Sequence, residues 1–578
     1  MSKATRDKII VGIDFGTTFS GIAFQYAASD HAADRITLIK SWPGGNHQTS
    51  DKVPTQLVYK TDGGGLKWGY EVQPTETSLR CIKLLLDEGQ SFPDWASKAA
   101  LEKELSDRHK SATDVIADYM TKLHDFAIAE LGKAYTPAFL QATPIEFILT
   151  VPAVWSDVAK QATRDAAKRA GFGDSIHLIS EPEAAAVETL STMKDEDLHE
   201  GDVFVICDAG GGTVDLITYE VEDLDPIRLR EVVPGTGGLC GASFLNSRFE
   251  SLVRERLGTE KFDEICKKSP KTWANALTYF ESYVKRNFNP TDEDDDYDHC
   301  GFSVPLNGVS DDEEAGVEFG FMSLSNDEVA DIFAPVVSDV IDLVQDQYDA
   351  SDALGYRPRA VVLVGGFGQS QYLFSRLKEH FQGKDTGVED GVIVMRSSNA
   401  WSAVVRGAVL RGLTGMELVT SRKARLHYGV ACSMEFVQGV HEERHRFWCK
   451  YSERWMASQQ IQWFAKKGDS IGSSIPVLHP FSQISEDREG FGHFPIKSSH
   501  DDDAPRTCDH GTGVRTHAEL SVDLALLPDA SLKMRKTSCG TRYYEAFFDI
   551  GMHLESGVLR FDYRVRDQVL GDVEVKFE

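Results

Sequence analysis

No stretch of this sequence approaches the apolar length needed to cross a bilayer, and its start, MSKATRDKIIVGIDFG, holds only a short apolar run before Asp14 interrupts it. Neither a secretory leader nor a membrane span is expected. Cysteine is scarce and disordered in its spacing: nine residues, an odd number, widely scattered and never Cys-x-x-Cys. Free thiols in a reducing compartment follow, so a cytoplasmic location is expected, with the nucleus also open. Positive charge is short as well, 61 Lys and Arg against 90 Asp and Glu, a net charge of -29. Nucleic acid and anionic membrane would both be repelled by such a surface. A phosphorylated ligand could bind only where backbone N–H groups, a lysine or a divalent cation offset that field locally.

What is present is a globular chain. With 578 residues, 41% of them apolar and 26% charged, it can bury several cores, and its length suggests three or four domains. Ile9–Ile13 reads as a buried strand, followed by a Gly-Thr-Thr turn and a second strand, Gly21–Tyr26. Helical periodicity runs through Leu101–Leu131. Phe147–Val151 is an apolar strand. The helix Ser156–Ala170 follows, with Ser156 as N-cap and Gly171 just past its end. A short strand at His177–Ile179 precedes a helix at Pro182–Leu190, and then the opening pattern returns: strand Val203–Cys207, glycine turn, strand Val214–Tyr219. Helices are expected at Ala242–Leu257, Trp273–Arg286 and Gln369–Phe381, and a strand at Ala360–Val364. Two strand–turn–strand units in one α/β chain form a coarse duplication.

Past Gly415 the period changes to two, as in Leu520, Val522, Leu524 and Leu526, in Leu559, Phe561, Tyr563 and Val565, and in Val573, Val575 and Phe577. Antiparallel strands are expected there, with Ser498–Thr516 as a polar, mobile loop. The acidic runs Asp292–Asp298 and Asp311–Glu314 lack the glycine and glutamate of a calcium loop and read as solvated loops.

Three segments carry the chemistry. In Val11-Gly-Ile-Asp-Phe-Gly-Thr-Thr18 a strand delivers Asp14 to its end, Gly16 allows close backbone approach, and Thr17 and Thr18 offer donors. Asp14 would repel phosphate, so its sensible role is to hold water around a magnesium ion. A plain hairpin turn accounts equally well for this segment taken alone. Val205-Ile-Cys-Asp-Ala-Gly-Gly-Gly-Thr-Val-Asp215 repeats the logic with Asp208, Gly210, Gly211, Gly212 and Thr213, and Asp215 is a candidate for positioning a water. Two such turns could clamp a triphosphate from both sides. Ala360-Val-Val-Leu-Val-Gly-Gly-Phe-Gly-Gln369 ends a strand in Gly365 and Gly366, where a nucleoside could lie against bare backbone.

These residues resemble the seventy-kilodalton heat-shock chaperones of the actin-like ATPase superfamily. GIDFGTTFS looks like that family's first phosphate loop, DAGGGTVD its second and LVGGFG its adenosine segment. Leu149-Thr-Val-Pro-Ala-Val-Trp-Ser-Asp157 with Lys160-Gln-Ala-Thr163, and Ser180-Glu-Pro-Glu-Ala-Ala-Ala186, narrow the match, which spans residues 8–412. The resemblance implies a duplicated, two-lobed, ribonuclease-H-like α/β fold with a nucleotide cleft, lobe I at 1–195 and lobe II at 196–415, the last helix returning to lobe I. It implies ATP or ADP with Mg2+ as cofactors. Thr17 and Thr18 would contact phosphate, Asp14 and Asp208 would hold the magnesium shell through water, Glu181 that shell or the nucleophile. Thr213 would meet the γ-phosphate, Asp215 would orient the water, and Pro152 matches the family's switch proline. Lys83 is the candidate γ-phosphate lysine, or else an exposed helix lysine. Gly241, Lys285 and Arg286, with Gly365, Gly366 and Phe367, would surround the nucleoside, unless Lys285 and Arg286 are a solvated helix face.

The departures cluster on the nucleoside side. Gln369 stands where the family has an arginine on the adenine, Cys240-Gly-Ala-Ser243 keeps one glycine of a pair and no acid, and Trp401 stands for an aspartate. The linker position, Thr420-Ser-Arg-Lys-Ala-Arg-Leu-His-Tyr-Gly429, is basic rather than leucine-rich, and the rest is too short and too β-patterned for a helical lid. A small, mainly antiparallel β-domain over 416–578, like a reduced substrate-binding domain, is expected. The pattern is similar to the divergent branch of the twelve-A and twelve-B heat-shock relatives. Trp448, Trp455 and Trp463 would line a groove, or form a core or docking surface. Three functions stay open: a slow ATPase that switches two lobes and serves protein clients with co-chaperones, a nucleotide sensor without turnover, and a small-molecule kinase.

Overall fold

The strand Ile9–Phe15 is buried along its whole length because it lies at the centre of a sheet. In the computed structural model that sheet runs Thr37–Leu38, Phe19–Tyr26, Ile9–Phe15, Ile145–Val151, Ile176–Ser180, with Val53–Pro54 paired to Phe19–Tyr26. The described residues are 7–27, 36–46, 48–60, 65–87, 92, 97–174, 176–192, 198–224, 227–290, 301–381, 391–414, 418–473, 475–486, 491–523, 526–555, 558–565, 568–572 and 574–577. The acidic run Asp292–Asp298 lies outside them, and so do Leu524 and Val573.

The strands beside the two glycine turns pair in the same pattern. Ile9–Phe15 turns back antiparallel into Phe19–Tyr26, with Asp14 opposite Gly21, and pairs parallel with Ile145–Val151 on its other side. Val203–Ala209 does the same: antiparallel to Val214–Leu224, with Asp208 opposite Asp215, and parallel to Ala360–Val364. Both central strands are apolar on both faces, as strands covered by helices on two sides must be. The content is thus mixed α/β with several mixed sheets.

Local chemistry sets the helix ends. Ser156 accepts from the Ala159 N–H to start the helix Asp157–Arg169, and Gly171 follows with φ +95°, as its sequence position predicts. The helical periodicity of Leu101–Leu131 is carried by two helices, Lys98–Asp107 and Ala112–Ala134, separated by a turn with His109 at φ 54° and restarted at the Ser111–Asp114 capping box.

A 28-residue helix, Asn326–Ala353, has no counterpart among the sequence expectations. Val329, Ile332, Phe333, Val336, Val337, Val340, Ile341 and Val344 form its buried stripe. Ser325 and Glu328 form a capping box, so Ser325→Ala is expected to cost about 1 kcal/mol, read from the denaturation midpoint. Pro335 sits inside this helix and has no N–H to offer the carbonyl of Asp331. Arg248 fills that gap, donating to Asp331 O and Ile332 O at 3.0 Å each. Arg248→Met is therefore expected to destabilise by about 1–3 kcal/mol in equilibrium unfolding, since it strands a freed carbonyl. A variant within a few tenths of wild type would contradict that role for Arg248.

The chain divides into two compact units, residues 1–227 with 235–418, and residues 228–234 with 419–578. The second unit is built of antiparallel hairpins. One of its sheets runs Arg446–Cys449, Arg454–Ala465, His427–Glu435, Phe491–Ser499, Arg515–Asp523, Glu574–Phe577, and the other contains Val477–Ser485, Arg542–Glu555, Val558–Val565 and Gln568–Asp572. Ile496 and Leu520 from the first and Ile550, Met552 and Phe561 from the second share one core.

Several expectations need correction in this unit. The basic segment that begins at Thr420 is no linker: Val419–Lys423 is a strand, parallel to Leu229 and Arg230 and antiparallel to Ser470–Gly472. Its positive charge is absorbed locally, Arg422 donating to Leu554 O and Arg425 meeting the buried Glu231. The Ser498–Thr516 loop is tethered rather than free, since Trp463 donates to Pro505 O, Lys467 pairs with Asp502, and Asp509 binds Arg444 and His445. Trp448 and Trp455 form no core: they are 52% and 45% exposed, edge to face at 5.4 Å on paired strands. In the first unit, of the acidic residues at Asp311–Glu314, Asp312 is ion-paired to Lys261 and Asp311 accepts from the Phe319 N–H.

Candidate site at two facing glycine turns

Each central strand carries its aspartate to the end where the chain turns, and the two turns meet. Gly16 is required at its position: a Cβ would fall 2.2 Å from the Phe19 carbonyl. Thr55 fixes this turn, its hydroxyl donating to Gly16 O at 2.8 Å and its N–H to Thr18 O. In the second turn the Gly210 N–H closes onto Thr213 O, while Gly210 O, Gly211 O and Gly212 O accept from Ala242, Ser243 and Gly241. Gly241 thus clamps the second turn to the start of the helix Ser243–Leu257 by backbone alone. Thr17 and Thr18 lie directly against Gly212 and Gly211, so that a Cβ on Gly211 would sit 1.9 Å from the Thr18 hydroxyl. Only bare backbone allows that approach.

Around the turns the carboxylates are buried and face two lysines. Lys83, 1% exposed on the short helix Ile82–Leu86, donates to Glu181 Oε1 at 2.6 Å and lies over the rings of Phe15 and Trp155. It is no exposed helix lysine. Lys52, absent from the residues singled out by sequence, donates to Asp14 Oδ2 at 2.6 Å, and Thr150 reaches Asp14 Oδ1 at 3.3 Å. Thr213 donates to Asp215 Oδ2 at 3.1 Å. Among the described residues no hydrogen bond or ion pair engages the buried Asp208 carboxylate.

The electrostatics follow from this crowding. Burial, opposed by Lys83 but reinforced by Asp215 and Asp14, pushes Glu181 up to about 7. Burial and then Glu181 hold Asp208 well above the usual carboxylate range, against the pull of Lys52. Burial lowers Lys52, but Asp14, Asp208 and Glu181 together leave it raised. A carboxyl that holds its proton more tightly when folded loses stability as pH rises from its unfolded value, about 4.5, through its folded one, about 7. The stability of wild type relative to Glu181→Gln is therefore expected to fall between pH 5 and pH 7 in chemical denaturation. A difference constant across that window would contradict this environment for Glu181.

The nucleoside-side residues are less gathered. Gly365 has φ +84°, and a Cβ there would strike Asp208 Oδ1 at 2.4 Å, so it serves the second turn as much as any ligand. Gly366 is exposed beside the Trp401 indole, on which the Arg286 guanidinium stacks at 5.2 Å. The ring of Phe367 is buried in the core, leaving only its backbone for contact. Lys285 donates to Ala242 O at 2.7 Å, and burial lowers it to about 8. Gln369 O accepts from Arg396. Pro152 is buried just past the strand Ile145–Val151.

Among the described residues no group of three or more His, Cys, Asp or Glu is arranged to hold a metal directly. The donor chemistry at Asp208, a buried carboxylate without an ammonium, fits an external cation held through water. Both oxygens of Asp14 are already engaged by Lys52 and Thr150.

Comparison with known proteins agrees with this arrangement. The family model described as Hsp70 protein matches residues 93–224. Heat shock 70 kDa protein 12A of Mus musculus is 24% identical over 514 residues, covering 75% of this chain and 73% of its own. Heat shock 70 kDa protein 12B of Homo sapiens is 25% identical over 545 residues, 78% and 76% of the two chains. Chaperone protein DnaK of Psychrobacter cryohalolentis is 30% identical over 268 residues, 43% of this chain and 37% of its own. The family likeness supports an ATP-binding, Hsp70-like function, and among the described residues no helix is long and apolar enough to cross a membrane. The chain is thus similar to the Hsp70 family, by the family model over residues 93–224 and by the 12A and 12B relatives over most of its length.

Proposed function

We propose that this chain binds ATP across the two glycine turns and hydrolyses it slowly. The observation that carries the reading is the contact of Thr17 and Thr18 with Gly212 and Gly211, ringed by Asp14, Asp208, Glu181, Lys52 and Lys83. Residues 1–195 and 196–415 are read as the two lobes of an actin-like ATPase domain, and the pairing symmetry of the two sheets supports that.

In this reading the turns cradle phosphate oxygens with backbone N–H groups and the threonine hydroxyls, and Lys83 offsets charge near the terminal phosphate. Glu181, with an affinity for protons near neutrality, can take a proton from the attacking water at its free carboxylate oxygen. Asp215 holds the Thr213 hydroxyl in place and helps orient that water. Magnesium, when bound, would neutralise phosphate charge, with Asp208 holding its water shell. Catalysis then rests on positioning and charge rather than covalent chemistry. The second unit is read as a reduced substrate-binding-like domain, and protein clients, co-chaperones and a cytoplasmic setting belong to the same proposal.

A single-turnover assay with magnesium-ATP tests this. Hydrolysis without any added acceptor, abolished in Asp208→Asn or Thr213→Ala, is the expected result. Hydrolysis that needs a sugar or other small acceptor would replace the reading with a kinase. A second reading, a sensor that binds nucleotide without turnover, draws on the altered nucleoside side at Trp401, Arg286 and Gln369. Tight binding with no hydrolysis would favour it.

A further inference from the structure

Lys52 is built into the phosphate site with more care than a surface lysine needs. Its backbone is pinned, its carbonyl accepting from the Ser50 hydroxyl at 2.7 Å and the Tyr70 hydroxyl at 3.2 Å. The next residues, Val53 and Pro54, pair with Ser20 and Phe19, beside the first turn. Its stem runs over Gly21, the residue directly opposite Asp14, and a Cβ on Gly21 would meet Lys52 Cγ at 3.3 Å. The absent side chain at 21 leaves the path by which the ammonium reaches Asp14 Oδ2 at 2.6 Å, with both side chains almost wholly buried.

We propose that Lys52 is the resident counter-ion of the Asp14 half of this site, an ammonium standing where a divalent cation's water shell would otherwise be held, so that nucleotide binding by this chain depends little on divalent cations. The inference rests on the nucleotide reading above. Among the described residues the charged groups facing Lys52 are carboxylates, Asp14 in direct contact and Asp208 and Glu181 beyond it. A fixed ammonium supplies one positive charge at no cost of metal capture, and with the Thr150 hydroxyl it already engages both Asp14 oxygens.

Two measurements test this on the full chain with Lys52→Met and Lys52→Arg. The first is Mn2+ titration of nucleotide-free protein, followed by electron paramagnetic resonance. Wild type and Lys52→Arg are expected to show no stoichiometric site, and Lys52→Met to gain one at the vacated carboxylates. The second is ADP binding by calorimetry with Mg2+ or with EDTA. Wild-type affinity is expected to change by less than about threefold, and Lys52→Met affinity by more than about tenfold. A stoichiometric Mn2+ site of equal affinity in wild type and Lys52→Met overturns the proposal, as does equal Mg2+ dependence of ADP binding in the two. If no form binds ADP in either buffer, the nucleotide reading fails while the Mn2+ titration still decides on Lys52. Lys52→Gln, which can still donate to Asp14 without charge, replaces Lys52→Met if thermal unfolding shows that variant unfolded.

Discussion

Lys83→Met is expected to slow single-turnover hydrolysis of ATP by about 10²–10³-fold while leaving ATP bound. The ammonium is enclosed by Phe15 and Trp155 and held on Glu181 Oε1, so neither water nor another side chain can take its place. Cys81, in the left-handed conformation at φ 55°, turns the chain so that Lys83 points inward from the helix Ile82–Leu86. Removing Lys83 also leaves Glu181 beside Asp14 and Asp215 without its ion-pair partner, which drives it further toward the protonated form. It can then no longer accept a proton at neutral pH. Hydrolysis within about threefold of wild type, with binding intact, would remove Lys83 from the chemistry.

Gly407→Ala is the largest stability effect expected outside the site, about 2–3 kcal/mol in equilibrium unfolding. A Cβ at 407 would fall 1.7 Å from the carbonyl oxygen of Ala184, a backbone atom of the helix Glu181–Thr192. Neither helix can yield by a side-chain rotation, so the two must separate. The helix Ala403–Thr414 also packs on the strand Ile9–Phe15, where Gly12 meets Val405 and Gly412 meets Ile10, so the displacement spreads into the first sheet. Buried Glu188, which accepts from Ser397 and Asn399 and faces Arg406, adds a polar tie at the same contact. Because Glu181 opens the displaced helix, the variant should also hydrolyse more slowly at temperatures where it is still folded. Full stability in Gly407→Ala would contradict this helix crossing.

The sequence was most legible where geometry forces residue type. Strands buried on both faces must be apolar throughout, and a turn whose backbone touches another turn must be glycine, so Gly16 and Gly210–Gly212 stood out at once. Lys52 did not, because a lysine next to an aspartate in a polar segment carries no periodic signal. Its meaning depends on Gly21 and Asp14, both far from it in sequence. The helix Asn326–Ala353 had a readable apolar stripe, but Pro335 interrupts the pattern, and the compensation by Arg248 is invisible without three dimensions. Trp448 and Trp455 misled in the opposite direction, since aromatic side chains on paired strands can stack on each other in solvent as readily as in a core. The loop ending near Thr516 is polar yet tethered, because its polar groups have partners on neighbouring strands.

The central claim is that the two glycine turns form one nucleotide-phosphate site, and ATP binding to nucleotide-free protein by equilibrium dialysis tests it most directly when wild type is set beside Gly211→Val. A side chain at Gly211 would collide with Thr18 and part the turns without touching any titratable group. One ATP per chain in wild type, lost in a Gly211→Val variant that keeps its thermal midpoint, is the predicted result. No saturable binding in wild type, or equal binding in the two proteins, would contradict it.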